Sequence, residues 1–395
     1  MTSKFLGIAL MALTVIVSAC APATGGGAAV GGDATRTTPK RVVAAIMADP
    51  PVMARVLNPG SHWRGIEHIQ ALLAGGLTGS GAGNRYPELA EAVPSPDNGL
   101  WKINPDGTME TTWHIKNGMQ WHDGTPFTSA DLFFTMQVCM DKEVPLFSAD
   151  GIFTHISGYE APDARTMVVR WKDPFIDADS LFGSSVNSPG DEATPMAKHI
   201  MERSYPSNKS GFGDDPYWGV EYVGTGPFVL KSWQPGSGLV LTANDHYVFG
   251  RPKLDEVEFR FIEDAGTLQA NLLANTVDMT LGRNLSGPQS QGVSNQWPDG
   301  QLFVDYTGGS IQDMFVQQRN PDPPVLTDVT FRKAALMSLD RQSMVDSLMA
   351  GQSKVADSFI LPDQEPYRDV QAKYTVKYPY DPRQSLELLQ SIGYA

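Results

Sequence analysis

Thr112-Trp113-His114-Ile115-Lys116-Asn117-Gly118 leads, through Met119 and Gln120, into Trp121-His122-Asp123-Gly124-Thr125-Pro126-Phe127-Thr128-Ser129-Ala130-Asp131-Leu132. Trp113 and Ile115 alternate with polar neighbours, as on a strand with one buried face. Asp123-Gly124-Thr125-Pro126 reads as a turn, with glycine supplying backbone freedom and proline stiffness. Thr128 with Asp131 three residues later has the spacing of a capping box, so a helix opens there. Leu132, Phe133, Met136, Cys139 and Met140 share its apolar face. Strand, turn and capped helix follow one another here within a short stretch.

Upstream, the first strand completes a hairpin over Trp101–Lys116: Trp101 and Ile103, a turn at Asn104-Pro105-Asp106-Gly107, then Thr111, Trp113 and Ile115 on the return. A short apolar strand, Val42–Met47, opens the folded part. It is followed by a Pro- and Gly-rich loop, Asp49–Gly60, by His62-Trp63, and by a helix over Gly65–Leu77. The glycine-rich run Gly75–Gly83 has no lysine and no helix after it, so it reads as a mobile loop and not as a phosphate cradle. Downstream come a strand at Thr166–Trp171, a loop-rich stretch 183–215 with a short helix near Met196–Arg203, and strands at Gly226–Trp233, Leu239–Ala243 and Glu256–Ile262. In the last strand Val257, Phe259 and Phe261 alternate with Glu256, Glu258 and Arg260. Helices then dominate: Thr267–Asn275, Phe331–Met337, Arg341–Met349 with Asp340 as its cap and Gly351 at its end, and Pro382–Ile392. The composition is ordinary for an α/β protein of two cores: 395 residues, 41% hydrophobic and 19% charged.

The N-terminus reads as an export leader over residues 1–19. Lys4 precedes an apolar stretch, Phe5–Val17, which is short for a bilayer span. It ends in Val17-Ser18-Ala19-Cys20, which resembles a lipobox with Cys20 as the lipidated residue; an ordinary cleaved leader is the alternative. Residues 20–38, rich in Gly, Ala and Thr, read as a flexible tether. With Cys20 lipidated, the second cysteine, Cys139, has no disulfide partner and reads as a small core hydrophobe. The formal charge of −14 argues against nucleic acid as a partner.

Enzymatic signatures are missing from the sequence: no Walker loop, no Gly-x-Ser-x-Gly elbow and no His-Glu-x-x-His. His62 and His68 fall on different faces at helical spacing, so no metal site and no cofactor is assigned. Trp101, Trp113 and Trp171, on strands, read as core. Trp63 and Trp218, in loops beside His62 and Tyr217, are equally readable as core or as walls for a small ligand.

Three ordered sets of residues carry a family resemblance. The first is the opening stretch, Thr112–Gly118 and Trp121–Leu132. The second is Gly224-Thr225-Gly226-Pro227-Phe228 with Asn244-Asp245-His246-Tyr247 and Gly250-Arg251-Pro252-Lys253-Leu254-Asp255. The third is Phe331-Arg332-Lys333-Ala334-Ala335, Leu339-Asp340-Arg341, Tyr380-Asp381-Pro382 and Leu388-Leu389 to Gly393-Tyr394. In content, order and spacing the chain, from about Val42 onward, resembles the extracellular solute-binding proteins, family 5, of peptide and oligopeptide ABC importers. These motifs suit framework turns and caps and not ligand contacts.

The resemblance implies a two-lobe α/β fold of the type II periplasmic-binding-protein kind, with ligand held between lobes that close over it. Lobe 1 would span 39–262 with an extra subdomain at about 64–185. Lobe 2 would span 263–395 and be incomplete, because the family's chain continues and returns to lobe 1. It further implies a monomeric, exported lipoprotein, anchored through Cys20 and facing the periplasm or exterior. Such a protein delivers peptides or related small solutes to an ABC permease and its ATPase; nickel complexes and oligosaccharides are also ligands in the family. By position, the expected ligand contacts are His62 and Trp63 after the first strand, Tyr217 and Trp218 in the crossover loop, and Tyr306 and Gln312 in lobe 2. No catalytic residue is expected. The rival readings are an exported hydrolase acting on oligosaccharides or peptides, and a sensor presenting ligand to a membrane receptor.

Overall fold

β1 (Arg41–Ile46) is the centre around which the chain is arranged. The computed structural model describes residues 39–57, 65–81, 84–146, 151–184, 193–282, 284–303, 315–358, 360 and 373–394. Cys20, His62, Trp63, Tyr306 and Gln312 lie outside them. After β1 come α1 (Ile66–Leu73), β2 (Thr78–Gly81), β3 (Asn84–Pro87), β4 (Trp101–Ile103), β5 (Met109–His114), α2 (Ser129–Cys139), β6 (Ile156–Asp163), β7 (Thr166–Trp171) and α3 (Lys198–Met201). The second half holds β8 (Phe228–Gln234), β9 (Gly238–Ala243), β10 (Glu256–Phe261), α4 (Ala265–Leu273), β11 (Met279–Thr280), α5 (Gly287–Gln296), α6 (Val329–Met337), α7 (Arg341–Leu348) and α8 (Pro382–Ser391).

The main sheet has the order β11-β1-β10-β9-β8. β1 runs parallel to both neighbours, whereas β9 is antiparallel to β10 and to β8. A separate antiparallel sheet, β4-β5-β7-β6, belongs to the expected extra subdomain. Trp113 and Trp171 lie fully buried on its inner face, and the Trp171 indole N–H donates to Thr111 Oγ1 at 3.0 Å. α2 packs against this sheet, and Leu132, Met136 and Cys139 are buried within the same core as expected, whereas Phe133 and Met140, read onto the same face, are exposed and Phe134 and Val138 are buried in their place. Burial pushes the Cys139 thiol far above its ordinary range, so it stays protonated and inert.

The capping box predicted from Thr128 and Asp131 is present: Asp131 Oδ2 accepts the Thr128 N–H at 2.9 Å, and the Thr128 hydroxyl accepts in return from the first turn of the helix. One expectation about the N-terminal half needs correction. The glycine-rich run is not a loop throughout, because β2 and β3 pair as an antiparallel hairpin with Gly79 opposite Tyr86. A Cβ on Gly79 would sit 2.5 Å from the Tyr86 ring, so the ring covers the space left by the missing side chain.

The main sheet draws on elements from both sides of Glu263. β11 joins the main sheet beside β1, and α4 and α5 bury Leu268, Leu272 and Val293 against Ala45 on the second face of that sheet. Packing on the main sheet therefore continues past Glu263 to α5. Farther on, α6 and α8 pair side by side. The Ser385 hydroxyl donates to Ala334 O at 2.7 Å, and the Asp381 N–H to Met337 O at 2.9 Å.

Candidate functional site

Strand topology marks one edge of the main sheet as the place where a ligand crevice forms in such folds. From β1 the chain passes to α1, whose Ile66, Ile69 and Leu73 pack with Ala44, Ile46 and Phe259 on one face of the main sheet. From β10 it passes to α4, which packs on the opposite face. Adjacent parallel strands whose connections leave to opposite faces form a topological switch point, and ligands of open α/β sheets bind outside the carboxyl ends of the strands there. The crevice thus lies beyond Ile46 and Phe261. The Ile262 N–H donates to Ile46 O at 2.9 Å and keeps the two strand ends level.

Three further segments reach this edge. Because β9 is antiparallel to β10, with Gly238 opposite Arg260, the β8–β9 turn sits at the same end of the sheet. The Phe261 N–H donates to Ser237 O at 3.0 Å. Leu281, just after β11, donates its N–H to Ala45 O at 2.9 Å. Gly65, which opens α1, has φ +87° and lies so close to β1 and β11 that a Cβ would meet Ile46 Cγ2 at 2.8 Å and Leu281 O at 2.9 Å. Only glycine brings the start of α1 onto these strand ends.

The loop after β1 is held at two points. Asp49 Oδ1 accepts the Trp233 indole N–H at 2.8 Å and Oδ2 accepts the Gly236 N–H at 2.6 Å, so one carboxylate spans from the loop to the β8–β9 turn. The Met53 N–H donates to Trp218 O at 2.7 Å. Asp49 has no cationic partner among the described residues. Glu263 is exposed at the same edge, and Asp264 caps α4 by accepting the Thr267 N–H at 2.7 Å, which holds its carboxyl below the usual range. Three carboxylates, Asp49, Glu263 and Asp264, thus lie along this edge together with Arg260, which pairs with Glu258 at 2.7 Å.

Bacterial extracellular solute-binding proteins, family 5 (the middle part of the family's sequence) match the chain over residues 85–395. The chain belongs to this family. Among family 5 relatives, the oligopeptide-binding protein OppA of Bacillus subtilis is 26% identical over 303 residues, covering 70% of this chain and 53% of its own length. Heme-binding protein A of Haemophilus influenzae is 24% identical over 321 residues, covering 78% and 54% respectively. The chain thus spans about half the length of these relatives. Its fold is that of solved solute-binding proteins. AppA of Bacillus subtilis, solved with a nonapeptide, superposes with a TM-score of 0.64 at 20% identity over 90% of this chain and 65% of its own. NikZ of Campylobacter jejuni, solved with Ni(L-His), gives 0.66 at 18% identity over 90% and 64%. The α/β fold expected from the sequence is the one found.

Of the residues expected to meet ligand, the structure describes two, and it places both in the core. Asp215 Oδ1 accepts the Tyr217 N–H at 3.0 Å and caps a single helical turn, Pro216–Trp218, that directs both rings inward. Tyr217 and Trp218 are 1% and 3% exposed, with Tyr217 donating to Val223 O at 2.9 Å and Trp218 packed edge-on to Phe212 and Tyr217. They support the loop after β1 from beneath and present no surface to a ligand. Sequence reasoning missed Asp49, Trp233 and Gly236. The one local hint was an aspartate directly after a strand and before Pro50-Pro51. Among the described residues no cluster of His, Cys, Asp and Glu is arranged to hold a metal, and no helix is long and apolar enough to cross a membrane.

Proposed function

We propose that this chain belongs to the substrate-binding component of an ABC importer, which captures peptides or related small solutes in an interlobe cleft and passes them to the permease and its ATPase. The observation that carries this reading is the crevice at the β1–β10 switch point, built in a fold shared with proteins solved around a nonapeptide and a nickel–histidine complex. The carboxylates Asp49, Glu263 and Asp264 at this edge, beside an Arg260 already paired with Glu258, suit a ligand with an ammonium group, as peptides have. The component is a non-catalytic, exported lipoprotein held to the membrane through lipid on Cys20, with no nucleic-acid partner. His62 and Trp63 contribute contacts from the segment joining β1 to α1, and Tyr306 and Gln312 from the region between α5 and α6.

The test is retention. Purified protein is incubated with a tryptic digest of casein, separated from free peptides, and its bound fraction is identified by mass spectrometry, with calorimetry on each retained peptide. Saturable binding of intact peptides supports the proposal. Cleavage of the retained peptides would replace it with the hydrolase reading, and retention of hemin or Ni(L-His) in place of peptide would move the substrate class.

A further inference from the structure

We infer that Asp49 is a positioning residue: its carboxylate, received by Trp233 Nε1–H at 2.8 Å and Gly236 N–H at 2.6 Å, sets the height of the ligand-facing loop after β1 against the β8–β9 turn. The inference rests on the solute-binding reading for its functional consequence and on geometry alone for the latch itself. The loop and the turn are 184 and 187 residues apart in sequence at these two bonds, and both lie at the carboxyl end of the parallel strands. Nothing else described joins Asp49 to the molecule through its side chain. Among the described residues the carboxylate has these two donors as its anchors, one on each oxygen.

The second anchor of the same loop, Met53 N–H to Trp218 O, comes from backbone and survives any side-chain change at Asp49. Residues 50–52 between the two anchors form bends with no strand or helix of their own. Pro50 is buried and Val52 packs against the core, and the Asp49 latch adds to that packing in fixing the segment. Losing Asp49 frees one end while the buried core around Met53, Trp218 and Tyr217 keeps the other. A purely structural role would lower the stability of the whole sheet, whereas a positioning role acts on the loop and on whatever rests against it.

Three variants separate these roles in the full chain. Asp49→Ala removes both acceptors. Asp49→Asn keeps one acceptor and turns an N–H₂ group towards the other donor. Trp233→Phe keeps the ring's packing and removes one donor. Without any ligand, Asp49→Ala is expected to speed amide hydrogen exchange at Val52 and at Gly236 by about tenfold, with the two milder variants in between. The thermal midpoint should stay within about 2 °C. The casein peptide retained most strongly by the wild type should leave Asp49→Ala about tenfold faster. Unchanged exchange at Val52 and Gly236 overturns the inference. So does an exchange increase spread over the main sheet with a lower midpoint, because that marks a structural role. Equal peptide dissociation from wild type and variant also overturns it while leaving the solute-binding reading intact. If the wild type retains no peptide, that reading falls, and the exchange result alone decides the latch.

Discussion

The Nδ1 atom of His122 accepts the Gly224 N–H at 3.1 Å, joining the turn before α2 to the loop that enters β8. The backbone repeats the link, since the His122 N–H donates to Gly224 O at 2.9 Å. With Nδ1 accepting, the ring proton sits on Nε2, which donates to Gly226 O at 3.1 Å. Both glycines are forced by proximity. A Cβ would lie 2.0 Å from Leu73 O at Gly224 and 2.5 Å from Leu73 C at Gly226, against the end of α1. A histidine between two such segments must be neutral, and burial lowers its pKa to about 4.

The sign of the pH effect follows. A group whose folded pKa lies below its unfolded value of about 6.5 contributes stability above that value and loses it as pH falls towards the folded pKa. His122→Asn can keep an acceptor near Gly224 N–H and has nothing to titrate. Thermal melts from pH 7 to 4 should show the wild type losing more than the variant, although the variant starts about 1 kcal/mol lower for its lost bond to Gly226. Parallel curves for the two proteins would show that His122 does not gate acid stability.

Glu88 has the opposite sign. It is 3% exposed and accepts from Gly76 N–H at 2.9 Å, Ser184 Oγ–H at 2.6 Å and Tyr247 Oη–H at 2.9 Å. Burial raises its pKa, and the three hydrogen bonds and nearby Lys116 only partly offset this. Stability from such a group is full below the unfolded value and declines as pH rises through the raised folded one. Glu88→Gln keeps an acceptor for Gly76 and Ser184 and can donate to the Tyr247 oxygen, so it should gain on the wild type progressively from pH 4 to 8. Glu88→Ala strands three donors and should cost about 3 kcal/mol or more in denaturant unfolding.

Local signals made much of this legible. β5, α2, β10 and α8 follow from alternation, a capping box and helix-terminal residues within their own stretches. β2 and β3 could not be read that way, because their pairing depends on Tyr86 covering Gly79, a cross-strand relation hidden in a glycine-rich run. α5 carries a capping box, Ser286 with Gln289, but only Val293 among its residues is buried, so no apolar stripe announced it. The candidate site was least legible of all. Asp49 and Trp233 meet only because β9 reverses beside β10, and no spacing in the chain encodes that encounter.

Tyr217 and Trp218 differ in what their polar atoms do, which separates their expected mutants. The Tyr217 hydroxyl donates to Val223 O and accepts the Ala197 N–H at 3.4 Å, whereas Trp218 Nε1 is buried with no partner among the described residues. Tyr217→Phe therefore leaves a buried carbonyl unmet and should cost about 1–2 kcal/mol. Trp218→Phe loses ring volume but also removes an unsatisfied N–H, so urea unfolding should show a smaller loss than Trp218→Ala, expected at about 3–5 kcal/mol. Unchanged stability in both Tyr217→Phe and Trp218→Ala would return these residues to the ligand surface.

Arg341 organises the far end of the chain. Its Nη1 donates to Ala356 O at 3.1 Å and lies 3.1 Å from Asp357, while Nη2 donates to Tyr378 O at 2.9 Å. One planar guanidinium thus holds two backbone carbonyls from segments 22 residues apart, Ala356 and Tyr378, beside the start of α7. Arg341→Lys keeps the charge near Asp357, but a single ammonium cannot present the fork that reaches both carbonyls. Amide exchange should then accelerate at residues 373–380 while α6 and α8, joined through Ser385 and Ala334, stay protected. If α8 loosens together with 373–380 in that variant, the guanidinium supports the helix pair itself and not only the segment leading into it.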